Sequence, residues 1–186
     1  MGKAGEPQKV KIFVGLLIAR LSLLPQVRRL LEEKLGTVDL SSQALDFNYT
    51  DYYEAELGTG LKRVFMGFSD LATPDRLVDI KLFTNNLERT LSEGGKRQVN
   101  LDPGYLTAAK VVLASTKDYA HRLYLGSGIY GEVTLVFRQK QFQPLAWTYP
   151  DYRTEAYDEF FRQLRSTYMR QLAAITHADC HRHHEG

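Results

Sequence analysis

Cysteine is nearly missing from this chain, since its 186 residues include one, Cys180. A single cysteine forms no internal disulfide, which excludes a disulfide-stapled scaffold and favours a reducing cytoplasm. Long apolar runs are also missing, because the longest, residues 12–24, is interrupted by Arg20. It is shorter than the roughly 18 to 20 residues that span a bilayer, and the first residues carry no apolar run. We therefore predict neither a membrane helix nor a secretory signal.

An excess of one charge sign is lacking too, because 24 basic residues face 22 acidic ones for a net charge of +2. Non-specific nucleic-acid binders are usually far more basic, so any anion site must be local. Hydrophobic residues at 44% and charged residues at 25% are typical of a globular protein. We predict a single α+β domain over residues 1–176 and a mobile His-rich tail over 177–186, and leave the oligomeric state open.

Several catalytic motifs are absent. The chain has no GxSxG turn, no HExxH, no CxxC pair, no GxGxxG after its first predicted strand and no GxxxxGK(S/T) phosphate loop, so the enzyme classes built on them are not indicated. Residues 115–118 resemble the base-reading (N/T)KxD element of GTP-binding proteins, but Asp118 directly follows Lys117. This spacing and the missing loop reject a P-loop GTPase.

The apolar patterns of the first hundred residues predict alternating strands and helices. In order, they predict a half-buried strand over 9–17, a helix over 24–35, strands over 43–49 and 61–68, a helix over 73–94, and a strand over 96–101. The βαββαβ order predicts a ferredoxin-like split βαβ core, with both helices on one face of an antiparallel sheet.

The second half adds three features to this core. Asp102 as N-cap and Pro103 at the first position favour a helix through Ala114, although the apolar run at 111–113 would also suit a strand. Glycines 126 and 128 predict a tight β-hairpin over 121–138, followed by an edge strand over 141–145. A C-terminal helix from Pro150 to about residue 175 has an apolar stripe that should cover the sheet.

Candidate catalytic residues are Asp51 and Glu54, in the polar loop 50–56, and the pair His121 and Glu132. Carboxylates on a loop suit metal or acid/base chemistry, although a solvated turn explains them as well. A lone histidine such as His121 suits the role of a general acid or base. A structural hydrogen bond for His121 and an ion pair for Glu132 are the alternatives.

Cations and one amide form the candidate ligand-binding set: Lys81, Arg97, Asn100, Lys110, Lys117 and Arg122. Lys and Arg bind phosphates, and nearby acids could hold Mg²⁺. We expect one polar cleft for a phosphorylated small molecule, with nucleotides as leading candidates. The alternative is a non-catalytic module that binds RNA or a protein. Whether the protein is an enzyme, and which cofactor or metal it uses, stays open.

The tail also carries metal-ligand types. These are His177, Cys180, His181, His183 and His184. Zinc or nickel would suit them, but an unpacked tail lacks a preformed site, which favours adventitious affinity.

A run of short motifs spans nearly the whole chain. They are Thr50-Asp51-Tyr52-Tyr53-Glu54, Ile80-Lys81 with Thr84-Asn85, residues 99–106, Thr116-Lys117-Asp118 leading to His121-Arg122, Gly128-Ile129-Tyr130 with residues 132–135, and residues 147–152. Together they resemble the bacterial domain of unknown function 4416 family, in which Ala often stands where this chain has Gly131. The resemblance implies a bacterial cytoplasmic protein but no agreed activity, fold or catalytic residues. Some members are loosely labelled GTP-binding, which the missing phosphate loop contradicts here.

Overall fold

The computed structural model describes residues 2–182, with side-chain surroundings through residue 176. The strands are β1 (Val10–Ile18), β2 (Val38–Ser41), β3 (Leu45–Asp46), β4 (Lys62–Ala72), β5 (Val99–Leu106), β6 (Lys110–Ser115), β7 (Leu123–Gly126), β8 (Ile129–Arg138) and β9 (Gln141–Pro144). The helices are α1 (Leu24–Leu35), α2 (Glu54–Leu57), α3 (Arg76–Thr90) and α4 (Glu155–Arg182), with 3-10 turns at Leu21–Leu23 and Pro150–Arg153. The α+β class is confirmed.

All nine strands form one sheet in the order β2–β4–β1–β5–β6–β8–β7, with β3 paired to β4 and β9 paired to β8. The strand pairs are antiparallel. Helices α1 and α3 cover one face, where Leu31 and Ile80 share a core with Val14. Helix α4 covers part of the opposite face, where the rings of Phe161 and Phe13 meet with centroids 5.0 Å apart.

The apolar stripe of α4 behaves as predicted. Its buried members are Tyr157, Phe160, Phe161, Leu164 and Tyr168. Strand β1 was predicted to be buried on one face only, but all nine of its residues are buried. The reason is that helices pack against both faces of the sheet at this strand, so polar residues such as Lys11, which pairs with Asp39, are enclosed as well.

The predicted helix over 103–114 is wrong. These residues end β5, turn at Thr107–Lys110 and form β6, and Asp102 is a strand residue rather than a helix cap. Strands β5 and β6 and the Phe13 ring approach closely at Gly104 because glycine has no Cβ. A Cβ there would lie 2.5 Å from the Val112 carbonyl oxygen and 2.6 Å from Phe13 Cζ. The apolar run at 111–113 is β-branched in two of three positions, which suits a strand buried on both faces.

Smaller differences concern strand bounds. The predicted strand over 43–49 is reduced to β3 at Leu45–Asp46, β2 precedes it outside the predicted range, and β7 begins at Leu123 rather than at residue 121. The predicted hairpin turn is confirmed, with positive φ angles at Gly126, Ser127 and Gly128. The predicted helix from Pro150 begins later, because Pro150–Arg153 forms a 3-10 turn and α4 starts at Glu155, and α4 extends to Arg182. The domain and tail boundary at residue 176 stays a prediction.

Within residues 2–182, no helix is both long and apolar enough to cross a lipid bilayer.

Candidate functional site

Strands β5 and β6 separate at one end of the sheet. They pair at three positions, from Gly104–Leu113 to Leu106–Val111. In contrast, β5 pairs with β1 along its whole length, starting at Val99. Within residues 2–182, the first half of β5 therefore has a backbone edge with no strand beside it, and such an edge needs other hydrogen-bond partners when it is buried.

Helix α3 provides those partners. The Glu88 carboxylate accepts the Leu101 backbone N–H at 2.5 Å, and Lys81 Nζ donates to the Leu101 carbonyl oxygen at 3.0 Å. Alternate residues of a strand direct their backbone groups to the same edge, so Pro103 faces this gap as well. Proline has no N–H that would need a partner there, which explains how it is tolerated inside the strand.

A cleft of about 740 Å³ opens at this division of the sheet. Its volume is within the range of small-molecule sites. Charged residues of the lining are Arg63, Lys81, Glu88, Arg97, Asp102, Lys117, Arg122, Glu132 and Asp151. Aromatic residues of the lining are Phe47, Tyr49, Tyr52, Tyr53, Tyr119, Tyr149 and Tyr152. Both planar and charged parts of a ligand would therefore find partners.

Arg97 is held by protein groups on every side. Its Nε and Nη2 donate to the two carboxylate oxygens of Glu56 at 2.7 Å each. Its Nη1 donates to Glu88 at 3.0 Å and to the Asn100 side-chain oxygen at 2.9 Å. The Arg97 hydrogen bonds lower the pKa of Glu56, whereas burial raises the pKa of Glu88. Arg97 thus fixes α2 against α3 and β5.

Arg63 lies deeper, with 3% of its side chain exposed. Its Nη1 lies 3.2 Å from Asp102 Oδ2 and its Nη2 lies 3.3 Å from Asp151 Oδ2. Burial raises the pKa of Asp151. Gly15 makes room for this guanidinium, since a Cβ at that position would lie 3.2 Å from Arg63 Nη1. Sequence reasoning missed Arg63 and Asp151, although a charge directly before the apolar run 64–68 of β4 was a usable signal.

Arg122 lies in the cleft lining, where it forms hydrogen bonds to three other lining residues. Its Nε donates to Glu132 at 2.8 Å, its Nη1 to Ser115 Oγ at 2.6 Å and its Nη2 to the Tyr149 hydroxyl at 3.0 Å. Behind Glu132, His121 Nε2 lies 2.9 Å from the same carboxylate. The Glu132 carboxylate therefore holds both residues in place.

The two lysines of the cleft have different surroundings from the arginines. Among the described residues, no carboxylate lies within 4.0 Å of the Lys81 or Lys117 ammonium, although the charge of Lys81 opposes the burial that raises the pKa of Glu88. Lys81 is 7% exposed and makes one hydrogen bond, to Leu101. Lys117 is exposed at the mouth, with its Nζ 5.0 Å from the centre of the Tyr52 ring. Burying an ammonium whose N–H donors lack partners costs free energy unless a ligand or water accepts the remaining hydrogen bonds.

Six candidate residues line the cleft: Lys81, Arg97, Asn100, Lys117, Arg122 and Glu132. Four others lie outside its lining. Lys110 begins β6 at the end opposite Ser115, about 17 Å away along the strand. Asp51 and Glu54 are exposed, and the His121 ring stacks on Trp147 with centroids 5.3 Å apart. One cleft therefore does not gather the whole predicted set, and catalytic roles for His121, Glu132, Asp51 and Glu54 stay predictions.

A metal site finds no support in the side chains that the structure describes, since no three His, Cys, Asp or Glu residues gather there. The predicted tail ligands at 177–184 lie outside the residues whose side chains are described.

Comparison with known proteins gives a family match. No curated protein and no solved structure matches the chain. The family model described as "Domain of unknown function (DUF4416)" matches residues 8–168, a span that contains the whole sheet and every residue of the cleft lining. The chain belongs to the domain of unknown function 4416 family.

Proposed function

We propose that the cleft binds a phosphorylated small molecule, with nucleotides as the leading candidates. The observation that carries the proposal is Lys81, a buried ammonium with one protein hydrogen bond and no carboxylate within 4.0 Å among the described residues. An ammonium has three donors, so two remain for a ligand. Phosphate oxygens are strong partners for such a group.

Lys117 supports the same proposal from the opposite rim. Its backbone N–H donates to Ser115 Oγ at 3.1 Å, which fixes the start of its loop, while its side chain reaches over Tyr52. A phosphate at the mouth would replace this cation–π contact with a stronger charged hydrogen bond. The tyrosines of the lining are suitable faces for a planar base.

The arginines have a different role in this proposal. Arg97 and Arg122 have protein acceptors at all of their nitrogens. They position loops and carboxylates around the cleft, and direct contact with phosphate is assigned to Lys81 and Lys117. Of the candidate ligand-binding residues, this proposal therefore assigns phosphate contact to the two lysines that keep free donors.

Thermal unfolding with nucleotides, sugar phosphates and inorganic phosphate tests the proposal. A ligand at 100 times its dissociation constant should stabilise the protein by about 2.7 kcal/mol. Lys81→Met and Lys117→Met should each weaken binding by about 1.5 to 3 kcal/mol, the value of a charged hydrogen bond. Lys110→Met, outside the cleft, is the matched control. If none of these phosphorylated compounds raises the unfolding temperature, the proposal is wrong.

We further propose that β1, α1, β2, β4, α3 and β5 form the ferredoxin-like split βαβ core. The support is the strand order β2–β4–β1–β5 together with two helices on one face. A bacterial cytoplasm is the proposed location, supported by the single cysteine. An RNA or protein interaction module stays an alternative prediction.

A further inference from the structure

A basic groove lies between the β8–β9 hairpin and helix α4. Its volume is about 500 Å³, and its described lining shares no residue with the cleft. The cations of this lining are Lys140, Arg162, Arg165 and Arg170. Phe137 and Met169 are its larger apolar members, and no Asp or Glu of the described residues belongs to it. The basic groove is therefore a second concave site, lined by charges of one sign.

The sequence concentrates positive charge in the two segments that form the groove. The whole chain has a net charge of only +2, but residues 160–178 contain three arginines and no Asp or Glu. Residues 136–143 add Arg138 and Lys140, again without an acidic residue. Because Arg162 and Arg170 are eight residues apart on α4, they span about 12 Å along the helix. Cations spread over this length suit an anion that repeats along a chain better than one compact anionic group.

Arg165 is fixed in place with its charged end available. Its Nε donates to the Ala108 carbonyl oxygen at 2.8 Å, and its guanidinium carbon lies 3.7 Å from the centre of the Phe137 ring. Neither of its Nη atoms has an acceptor among the described residues. Since the carbonyl and the ring already hold the guanidinium, binding an anion there orders less of the side chain than at a free surface arginine.

The other cations of the groove keep most of their charge uncompensated. Arg162 is the exception, because its Nε donates to Asp158 at 2.8 Å. Arg170 Nη2 donates to the uncharged Thr167 hydroxyl at 3.1 Å. Neither Lys140 nor Arg170 has a carboxylate within 4.0 Å among the described residues. The groove therefore attracts anions more strongly than the small net charge of the chain suggests.

We propose that the basic groove binds the sugar–phosphate backbone of a single-stranded nucleic acid. Lys140, Arg165 and Arg170 contact phosphates along the strand, and guanidinium groups suit phosphate because they donate two parallel hydrogen bonds. The apolar Phe137 and Met169 lie against the sugars. A hairpin turn and a helix enclose too little space for a duplex, whereas a positively charged groove that follows one strand is typical of single-strand binding.

Base sequence plays no part in this mode of binding. Phosphate and sugar contacts carry no direct sequence information. Arg165 already covers the Phe137 ring, so this ring offers the bases no free face on that side. The inference goes beyond the proposed function of the cleft, because it concerns a different surface and a polymeric ligand.

Fluorescence anisotropy with a labelled oligomer of about 12 uridine nucleotides measures this binding, since single-strand sites cover up to about 16 nucleotides. With three phosphates neutralised at about 0.7 each, a plot of log association constant against log salt concentration should have a slope of about −2. If the anisotropy does not change at about 50 mM salt with about 10⁻⁴ M protein, the weak limit of non-specific binding, the inference is overturned.

Lys140→Gln and Arg170→Gln locate the binding, and Lys34→Gln is their matched control. Lys34 is exposed on α1, which packs on the opposite face of the sheet, and its loss changes the net charge equally. Each groove variant should weaken the oligomer about eightfold at about 50 mM salt and reduce the salt slope by about 0.7, the effect of one lost phosphate contact. Lys34→Gln should change neither quantity. Equal effects in all three variants would show general attraction to net charge and overturn the inference.

A poly-aspartate peptide of the same charge tests the class of ligand. It should bind more weakly than the oligomer, because it has no sugars to pack against Phe137 and Met169. Equal or tighter binding of the peptide would overturn the assignment to nucleic acid.

Cleft variants separate this inference from the proposed function. Lys81→Met should leave binding of the oligomer unchanged, and Lys140→Gln should leave binding of mononucleotides unchanged. If Lys81→Met weakens the oligomer and Lys140→Gln does not, the strand binds in the cleft, and the groove inference fails while the proposed function stands. If the oligomer responds to the groove variants but no phosphorylated small molecule stabilises the protein, the proposed function fails alone.

Discussion

Glu88 accepts the Leu101 backbone N–H at 2.5 Å, at the point where β6 has left the side of β5. Lys81, from the same helix, donates to the Leu101 carbonyl oxygen. Side chains of α3 thus occupy the hydrogen-bonding positions of an absent strand. The sheet can divide and open a cleft because side chains of the protein satisfy the hydrogen bonds of this buried, unpaired strand edge.

Removing the Glu88 carboxylate should destabilise the fold. Glu88→Ala leaves the Leu101 N–H buried without a partner, which we expect to cost about 1 to 3 kcal/mol. Glu33→Ala is the control, because Glu33 is 57% exposed and its pair with Arg29 should contribute under about 1 kcal/mol. Urea denaturation measures both. Equal losses in the two variants would contradict the role assigned to Glu88.

The two carboxylates on Arg97 should respond to acid in opposite directions. The pKa of Glu56 is lowered by its hydrogen bonds to Arg97, so its stabilisation is present above the ordinary glutamate value of 4.5 and is lost as the pH falls through the folded-state pKa. The pKa of Glu88 is raised by burial, so its contribution is full below 4.5 and is lost as the pH rises through the folded-state pKa.

Urea denaturation at several pH values tests these signs. Relative to the wild type, Glu56→Gln should lose less unfolding free energy on acidification from pH 7 to about pH 4, and Glu88→Gln should lose more. The same pH slope in both variants would show that the pKa values are not shifted as described.

Two strand glycines should differ sharply when replaced by alanine. A Cβ at Gly104 would lie 2.5 Å from a backbone oxygen, which cannot move cheaply. Gly104→Ala should therefore cost about 1 to 3 kcal/mol or more. A Cβ at Gly131 meets the Leu125 side chain at 3.0 Å, and Leu125 is 44% exposed and free to rotate. Gly131→Ala should be neutral or slightly stabilising. Thermal unfolding compares them, and a large loss in Gly131→Ala would contradict this packing.

Arg122 and Glu132 should be strongly coupled. Their side chains are 3% and 2% exposed, and their charged atoms lie 2.8 Å apart. Either single substitution, Arg122→Met or Glu132→Gln, leaves a buried charge, and we expect a loss of about 3 to 5 kcal/mol. The double variant should recover much of that loss. Additive losses in a double-mutant cycle would show that the pair is not coupled.

The local sequence pattern was sufficient to predict the helices and strands that bury the same face along their whole length. Helix α1 has the predicted bounds, β8 runs over the predicted residues and the stripe of α4 is buried as expected. Because the surroundings of each element stay the same along its length, its apolar residues recur at a regular spacing that can be read from the sequence. Asp102 and Pro103 led to the wrong prediction of a helix over 103–114. Asp and Pro are typical of a helix start, but they also occur in a strand whose edge has no neighbouring strand.

The candidate site was less predictable. Charge type pointed to Lys81, Arg97, Asn100, Lys117, Arg122 and Glu132, which do line the cleft. The same criterion selected Lys110, which lies at the far end of its strand, and missed Arg63. A charged residue looks alike in sequence whether it faces solvent, a salt bridge or a cleft, since its partners come from distant segments.

The amino-acid sequence by itself determined the α+β class and most helices and strands, because these depend on local period and composition, and its short motifs determined the family of this protein. Tertiary structure alone decided where β5 and β6 part, which carboxylates neutralise the arginines, and which lysines keep free donors. Those features depend on contacts between residues tens of positions apart, such as Arg97 with Glu56 and Arg63 with Asp151. Pairings of that kind exist only once the chain has folded.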